Sequence, residues 1–370
     1  MKPTYTYGET RLYTGDCLDV LATLPEKSVD TILTDPPYGL AFMGKHWDDV
    51  VPSANVWRAV LRVAKPGALL LAFGGTRTYH RLACAIEDAG WELRDCLMWL
   101  YGSGFPRSLD ISKALDRAAS ATREGHEPNP STDAATSPWR GYGTALKPAW
   151  EPILLAMKPL DGTFAENALR HGVAGLHIDG GRINPGQLIG GGGGYKGGAL
   201  SRHEGWTRPS HLTAKDTASH TSGRWPSNLL LDDGAAAILN EQSGEGISRQ
   251  GKPRASKQSG KGWGMTATGA EYNDSGGASR FFYVAKASRS ERREGNDHPT
   301  VKPLALLRYL AALTQTPTGG VILDPFMGSG TTIAGRLALP SGIPRDQPHA
   351  QGVSVCLRSI PNHLAVVRAG

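Results

Sequence analysis

Cysteine is scarce in this sequence, and what there is does not organise a fold. Only four occur in 370 residues (Cys17, Cys84, Cys96 and Cys356), and none pairs as CxxC. That excludes a zinc ribbon, offers no disulfide framework, and fits reduced thiols in a cytoplasmic protein. No run approaches the ~18 apolar residues of a membrane-spanning helix. The N-terminal MKPTYTYGETRLY lacks the apolar core of a secretory signal. No internal repeat is visible, so solenoid and propeller architectures fall away.

What is present suits a globular α/β protein rich in loops. Apolar residues make up 39% and charged residues 20%. Glycine (47) and proline (25) together approach a fifth of the chain, above the usual share of about 12%. The length allows two to three domains, or one large α/β domain carrying an insertion. The net charge of +6 and pI near 9.1 permit a nucleic-acid partner without demanding one.

Three zones differ in texture. Residues 1–180 alternate strand and helix patterns. VDTILT (29–34) is a β-branched apolar run ending at a Pro-Pro turn, hence a buried strand followed by a loop. Residues 54–64 have helical periodicity, with Lys65-Pro66-Gly67 as the stop. ALLLAF (68–73) reads as a strand, 79–89 as a helix stopped by Gly90, and 93–100 and 151–157 as further strands. Such alternation predicts a mostly parallel sheet.

Residues 181–280 differ. Seven glycines fill the nine positions 190–198, and from 182 to 261 eleven Lys/Arg face six Asp/Glu. The stretch reads either as a solvated linker or as a basic insertion facing nucleic acid, with Tyr195, Trp206, Trp225 and Trp263 as stacking groups. Residues 281–370 return to α/β: an amphipathic helix over 302–314, a strand over 319–324, and a glycine-rich turn opening a helix.

Two strand-ending loops carry chemistry. In Asp35-Pro36-Pro37-Tyr38 the prolines hold the backbone extended and remove two amide donors. Their carbonyls, the Asp35 carboxylate and the flat face of Tyr38 together suit an NH2 group on a planar ring, such as a flipped-out base. The same four residues also suit a plain strand-ending turn. The second loop, DPFMGSGTT (324–332), has glycines that let a ligand approach the backbone. It lacks the lysine of a Walker A loop and the spacing of a dinucleotide fingerprint. By itself it serves equally for tight strand–helix packing.

Taken together, the motifs resemble those of DNA amino-methyltransferases that use S-adenosylmethionine, in the permuted β-class order with DPPY first and FxGxG near the C-terminus. The resemblance rests on GDCLDVL (15–21), DPPYGL (35–40), KPG (65–67), GSGFPRSLDISKAL (102–115), ALKPAWEPILLA (145–156), GRWPSNLLLD (223–232), SRFFYVAKAS (279–288), HPTVKPL (298–304) and DPFMGSGTT (324–332). The GSGFPRS and ALKPAWEPI blocks are similar to phage and prophage members.

The resemblance implies a Rossmann-like class I methyltransferase fold, circularly permuted, with a mostly parallel seven-stranded sheet. It implies a catalytic half over 1–180, a target-recognition region over 181–280 and a cofactor-binding half over 281–370. Asp35, Pro36, Pro37 and Tyr38 become the catalytic residues. Asp16 and Cys17, Asp35, Thr300, Lys302 and Pro303, and Asp324, Phe326, Gly328, Gly330, Thr331 and Thr332 become the cofactor pocket. Asp16 is also explained as a turn residue, and Lys302 as a surface lysine. No metal is implied. The partner is double-stranded DNA; a cognate restriction endonuclease and a homodimer stay open.

The expected reaction is site-specific methylation of the adenine N6 amine in DNA. Methylation at cytosine C5 needs a thiolate following proline, and no cysteine here follows one. Asp at the first DPPY position favours adenine, leaving cytosine N4 as the alternative. A DNA-binding homologue weakened in transfer is another. Methylation of a protein amide or RNA is disfavoured by Asp35 and by the motif order. One departure stands out. Where the family ends the next strand on an acidic residue, Ser354 is found, and three prolines occupy 337–351. Asp346 is the nearest substitute carboxylate. A neutral serine gives a weaker hydrogen bond than a charged group.

Overall fold

The computed structural model describes residues 2–7, 10–40, 48–106, 108–121, 137–183, 223–247, 274–285, 302–317, 319–327, 353–360 and 363–365. Strands β1 (Tyr5–Tyr7) and β2 (Thr10–Tyr13) lead into helix α1 (Cys17–Thr23). Then come β3 (Val29–Thr34), α2 (Ala54–Val63), β4 (Ala64–Phe73), α3 (Tyr79–Asp88) and β5 (Glu92–Leu100). Helix α4 (Ile111–Ala121) precedes β6 (Trp150–Met157) and α5 (Phe164–His171). After β7 (Leu229–Asp232) and α6 (Asp233–Ser243), β8 (Gly246–Ile247) and β9 (Ser275–Gly276) form a separate small pair. The chain finishes with β10 (Tyr283–Ala285), α7 (Leu304–Leu313), β11 (Val321–Asp324), β12 (Val353–Ile360) and β13 (His363–Ala365).

The main sheet runs β1-β2-β12-β11-β3-β4-β6-β5-β7-β10, with β13 paired to β12. Its heart is the seven strands β2-β12-β11-β3-β4-β6-β5, as the resemblance implies. All but β6 point one way; β6 is antiparallel to both β4 and β5. The middle strand β3 is buried at every position, which is why its sequence runs apolar and β-branched without alternation.

Two apolar layers cover the sheet. On one face Val20 and Leu21 of α1, Trp57, Val60 and Val63 of α2, and Leu82 and Ile86 of α3 pack on Ile32, Leu70 and Leu323. On the other, α7 packs on Leu33, Leu71, Phe73 and Ile153. Truncating one of these buried leucines to alanine costs about 2–5 kcal/mol.

Several local expectations needed correction. Lys65-Pro66-Gly67 is not an interval between α2 and the next strand. β4 begins at Ala64, directly after the helix. The carbonyls left open there are satisfied from elsewhere: Lys158 Nζ donates to Leu61 and Ala64 oxygens, both at 2.8 Å. The buried Asn167 amide donates to Pro66 and Val173 oxygens. Gly67 has φ +75°, and a Cβ there would meet Asn167 Nδ2 at 2.5 Å, so only glycine fits.

Helix α7 starts two residues later than the pattern over 302–314 suggests. It buries Leu306, Leu307, Tyr309, Leu310, Ala311 and Leu313 and keeps Leu304, Ala305, Arg308 and Ala312 on one half-buried stripe. The loop-rich reading of 181–280 fails over 229–232, where β7 pairs in parallel with β5 and carries β10. Leu230 and Leu231 are buried in it; three apolar residues are too few to stand out beside so much glycine. Tyr195, Trp206 and Trp263 lie outside the described residues. Among those described, no helix is long and apolar enough to cross a membrane.

Candidate active site

Parallel strands end at a common edge, and the site is built there. β2, β12, β11, β3 and β4 all finish on this edge. Asp16 follows β2, Asp324-Pro325-Phe326 closes β11, and Asp35-Pro36-Pro37-Tyr38 follows β3. Because β6 is reversed, it begins at this same edge, and Glu151 is its second residue.

The two motif loops share a single oxygen. Asp324 is 1% exposed. Its Oδ1 accepts from Thr34 Oγ1 at 2.7 Å and from the Phe326 amide at 3.0 Å. The end of β3 is thereby fastened to the turn after β11. At the opposite edge Asp30 ties the same strands, accepting from Lys65 Nζ at 2.6 Å and from the Val321 amide at 2.7 Å. Phe326 lies half-buried with its ring 6.3 Å from that of the fully buried Trp57, tilted 57°.

Four side chains meet in front of β3. Lys302, 8% exposed, places Nζ 3.2 Å from Asp35 Oδ2, 3.0 Å from Glu151 Oε2 and 3.0 Å from Tyr38 Oη. An ammonium has three N–H donors, and three acceptors surround this one. The Tyr38 hydroxyl reaches Asp35 Oδ1 at 2.8 Å and Glu151 Oε2 at 3.2 Å. Backbone contacts hold the turn. Asp48 accepts from the Tyr38, Gly39 and Leu40 amides, and Thr78 Oγ1 donates to the Tyr38 carbonyl at 2.6 Å.

The electrostatics follow from this packing. Burial pushes the Asp35 carboxyl up, Lys302 pulls it back down, and Glu151 adds to the rise; the outcome is above the ordinary value. Burial likewise raises the Tyr38 phenol, reinforced by the two carboxylates, so it stays a protonated donor. Burial acts to lower the Lys302 ammonium, but Asp35 and Glu151 outweigh it and hold it above its usual value. Tyr101, just past β5, is pushed up to about 12 by burial and then by Glu151.

The sequence-derived residues divide accordingly. Asp35, Pro36, Pro37, Tyr38 and Lys302 come together, with Pro303 next to Lys302 as the residue before α7. Asp324 and Phe326 adjoin them through Thr34. Asp16 lies on the same edge but is exposed and caps α1, its Oδ1 accepting from the Leu18 amide at 2.8 Å. The Cys17 thiol is pushed up to about 12, chiefly by burial and then by Asp16, so it is no nucleophile. Thr300, Gly328, Gly330, Thr331, Thr332 and Asp346 lie outside the described residues.

The Tyr38 hydroxyl is tied to carboxylates, and Lys302 Nζ sits at the hydroxyl end of the ring, 5.2 Å from its centroid. One expectation shifts. Ser354 was expected at a strand end. It pairs instead with Ile322, two positions before Cys356, the partner of Asp324. β12 is longer than its apolar pattern suggested. Sequence reasoning missed Glu151 and Asp48. Glu151 had a signal, a carboxylate opening the apolar run PILLAM; Asp48 had none.

Comparisons with known proteins identify the family. The sequence profile of a family described as DNA methylase matches residues 29–339. The type II methyltransferase M.HindIII of Haemophilus influenzae is 31% identical over 32% of this chain and 35% of its own length. The type II methyltransferase M.SfiI of Streptomyces fimbriatus is 29% identical over 29% and 34%. The aligned stretches thus span about a third of these curated relatives. Among solved structures, the M1.HpyAVI–SAM complex has a TM-score of 0.36 at 15% identity, covering 88% of this chain and 87% of that one. The cytosine-N4-specific PvuII DNA methyltransferase has 0.44 at 14%, covering 97% and 85%. Since the family profile takes in more than four fifths of the sequence, the chain belongs to the DNA methylase family of N6/N4 methyltransferases.

Proposed function

We propose that the chain is a site-specific DNA methyltransferase that moves a methyl group from S-adenosylmethionine to the exocyclic N6 amine of adenine in double-stranded DNA. One observation carries the reading: Asp324 Oδ1 joins Thr34 to the Phe326 amide. It makes the base-gripping turn and the cofactor turn neighbours beyond adjacent strand ends, where open α/β sheets bind ligands.

The residues suit the cofactor. Phe326 offers a half-buried ring backed by Trp57, a wall for an adenosine. Asp16 at the same edge adds a carboxylate. Held there, S-adenosylmethionine would supply an electrophilic sulfonium methyl, with a neutral thioether as the leaving group. Asp35 and the Pro36 carbonyl accept from the target N–H groups, which draws the nitrogen lone pair out of the ring. One N–H proton leaves to Asp35 or to solvent. Holding both partners in register provides much of the acceleration.

DNA would approach the same edge. The chain leaves β5 at Leu100 and re-enters β6 at Trp150 there, and Lys147 Nζ bonds the Gly102 carbonyl at 2.8 Å to tie the two arms. Phe105 is 81% exposed and Leu146 is 93% exposed on those arms. Apolar side chains so placed suit the gap that an extruded base leaves. The basic stretch 182–261 supplies candidate phosphate contacts. Arg224 is not one of them, since it is 7% exposed and paired with Asp274. The type II relatives support a companion restriction endonuclease that reads the same site.

The test is direct. DNA incubated with the protein and S-adenosylmethionine is digested to nucleosides and analysed by mass. N6-methyladenine is expected. N4-methylcytosine would move the target to cytosine, an amine the same Asp35 turn would hold. No methylated nucleoside at saturating cofactor would leave a DNA-binding homologue.

A further inference from the structure

We infer that Glu151 is a positioning residue of the transfer site: by sharing the Lys302 ammonium, it keeps the Asp35 carboxylate able to accept from the amine of the target base. The inference rests on the methyltransferase reading above.

The argument starts from charge. Asp35, Glu151 and Lys302 form one cation against two carboxylates. The cation is engaged three ways, nearer to Glu151 (3.0 Å) than to Asp35 (3.2 Å). Without Glu151 the site holds a neutral ion pair in which Asp35 is the one carboxylate on Lys302 among the described residues. A carboxylate so paired binds its proton less well and accepts more weakly from an amine. The groups facing Asp35 have opposed effects. Tyr38 donates from its own turn, Lys302 is the cation from the segment before α7, and Glu151 is the anion from β6. Asp324 sits beyond Thr34, and Asp48 lies under the turn. Of these, Glu151 alone touches both Lys302 and the Tyr38 hydroxyl from outside the turn.

Placement supports the inference. Glu151 is fixed at the start of the one reversed strand of the seven-stranded heart, in register with Trp99 on β5. Its side chain is only 22% exposed. A largely buried carboxylate whose side-chain hydrogen bond and ion pair, among the described residues, both fall within this cluster is costly unless it acts on it.

The test compares wild type with Glu151→Gln and Glu151→Asp in the full-length chain. Gln keeps the shape and an acceptor for Lys302 but removes the charge. With S-adenosylmethionine and duplex DNA, E151Q should lose at least tenfold in kcat, while KM for either substrate moves less than about threefold. E151D should recover part of the loss. The acid limb of the pH–rate profile should move to lower pH in E151Q, because Asp35 then holds its proton less well. A kcat within twofold of wild type, or a loss with the limb unmoved, would overturn the inference.

A second readout needs no activity. Carboxyl NMR of Asp35 should titrate at lower pH in E151Q than in wild type; an unmoved midpoint would refute the coupling. A shifted midpoint in a protein that methylates nothing would leave the coupling standing and sink the methyltransferase reading instead.

Discussion

Thr34 Oγ1 donates to Asp324 Oδ1 at 2.7 Å across 290 residues of sequence. The same oxygen receives the Phe326 amide, so the last residue of β3 and the turn after β11 move as one. Thr34→Val keeps the shape and removes the donor. It should cost about 1–2 kcal/mol in denaturant unfolding, and Asp324→Ala more, with weakened cofactor binding as well. If Asp324→Ala binds S-adenosylmethionine as tightly as wild type in calorimetry, the shared oxygen does not organise the pocket.

Asp35→Ala should abolish methyl transfer while DNA binding by mobility shift stays within about threefold. The variant removes the acceptor for the amine, and Lys302 keeps Glu151 as its counter-ion, so the fold is not left with an unpaired buried charge. Retained turnover would remove Asp35 from the catalytic role.

Phe326→Ala should weaken S-adenosylmethionine at least tenfold in calorimetry, since it strips the exposed half of the wall that Trp57 backs. Unchanged affinity would move the cofactor elsewhere.

Asp35 titrates above the ordinary carboxylate value because it is buried and faces Glu151, with Lys302 only partly opposing. The active form is the carboxylate. The transfer rate should therefore fall as pH drops through a midpoint above the ordinary carboxylate value. Stability has the opposite sign: a raised acid pKa in the fold means that Asp35 subtracts stability as pH climbs from its unfolded value through its folded one. An acid limb in the rate at or below the ordinary value would contradict this environment.

DNA affinity should fall steeply with salt if the basic stretch contacts phosphates; a flat response would exclude it. Phe105→Ala and Leu146→Ala should slow methylation of a paired duplex several-fold. They should affect far less a duplex whose target base is mismatched, where extrusion is cheaper. Equal effects on both substrates would remove the two arms from base extrusion.

The sequence by itself determined most of the strands, the surface helices and the two motif loops. Those depend on local pattern: a β-branched run before Pro-Pro, helical spacing at Trp57, Val60 and Val63, a glycine stop at Gly90 with φ +99°. It also anticipated that the loops carrying Asp35 and Phe326 leave neighbouring strands, because motif order in the family encodes the sheet order. Only the tertiary structure decided what those residues touch. Glu151 joins the site because one strand, β6, runs backwards and starts where its neighbours end. Lys302 turns inward because two carboxylates from distant segments meet its ammonium. The Tyr38 hydroxyl is engaged for the same reason. Strand direction and long-range charge pairing are properties of how segments assemble, and no window of sequence carries them.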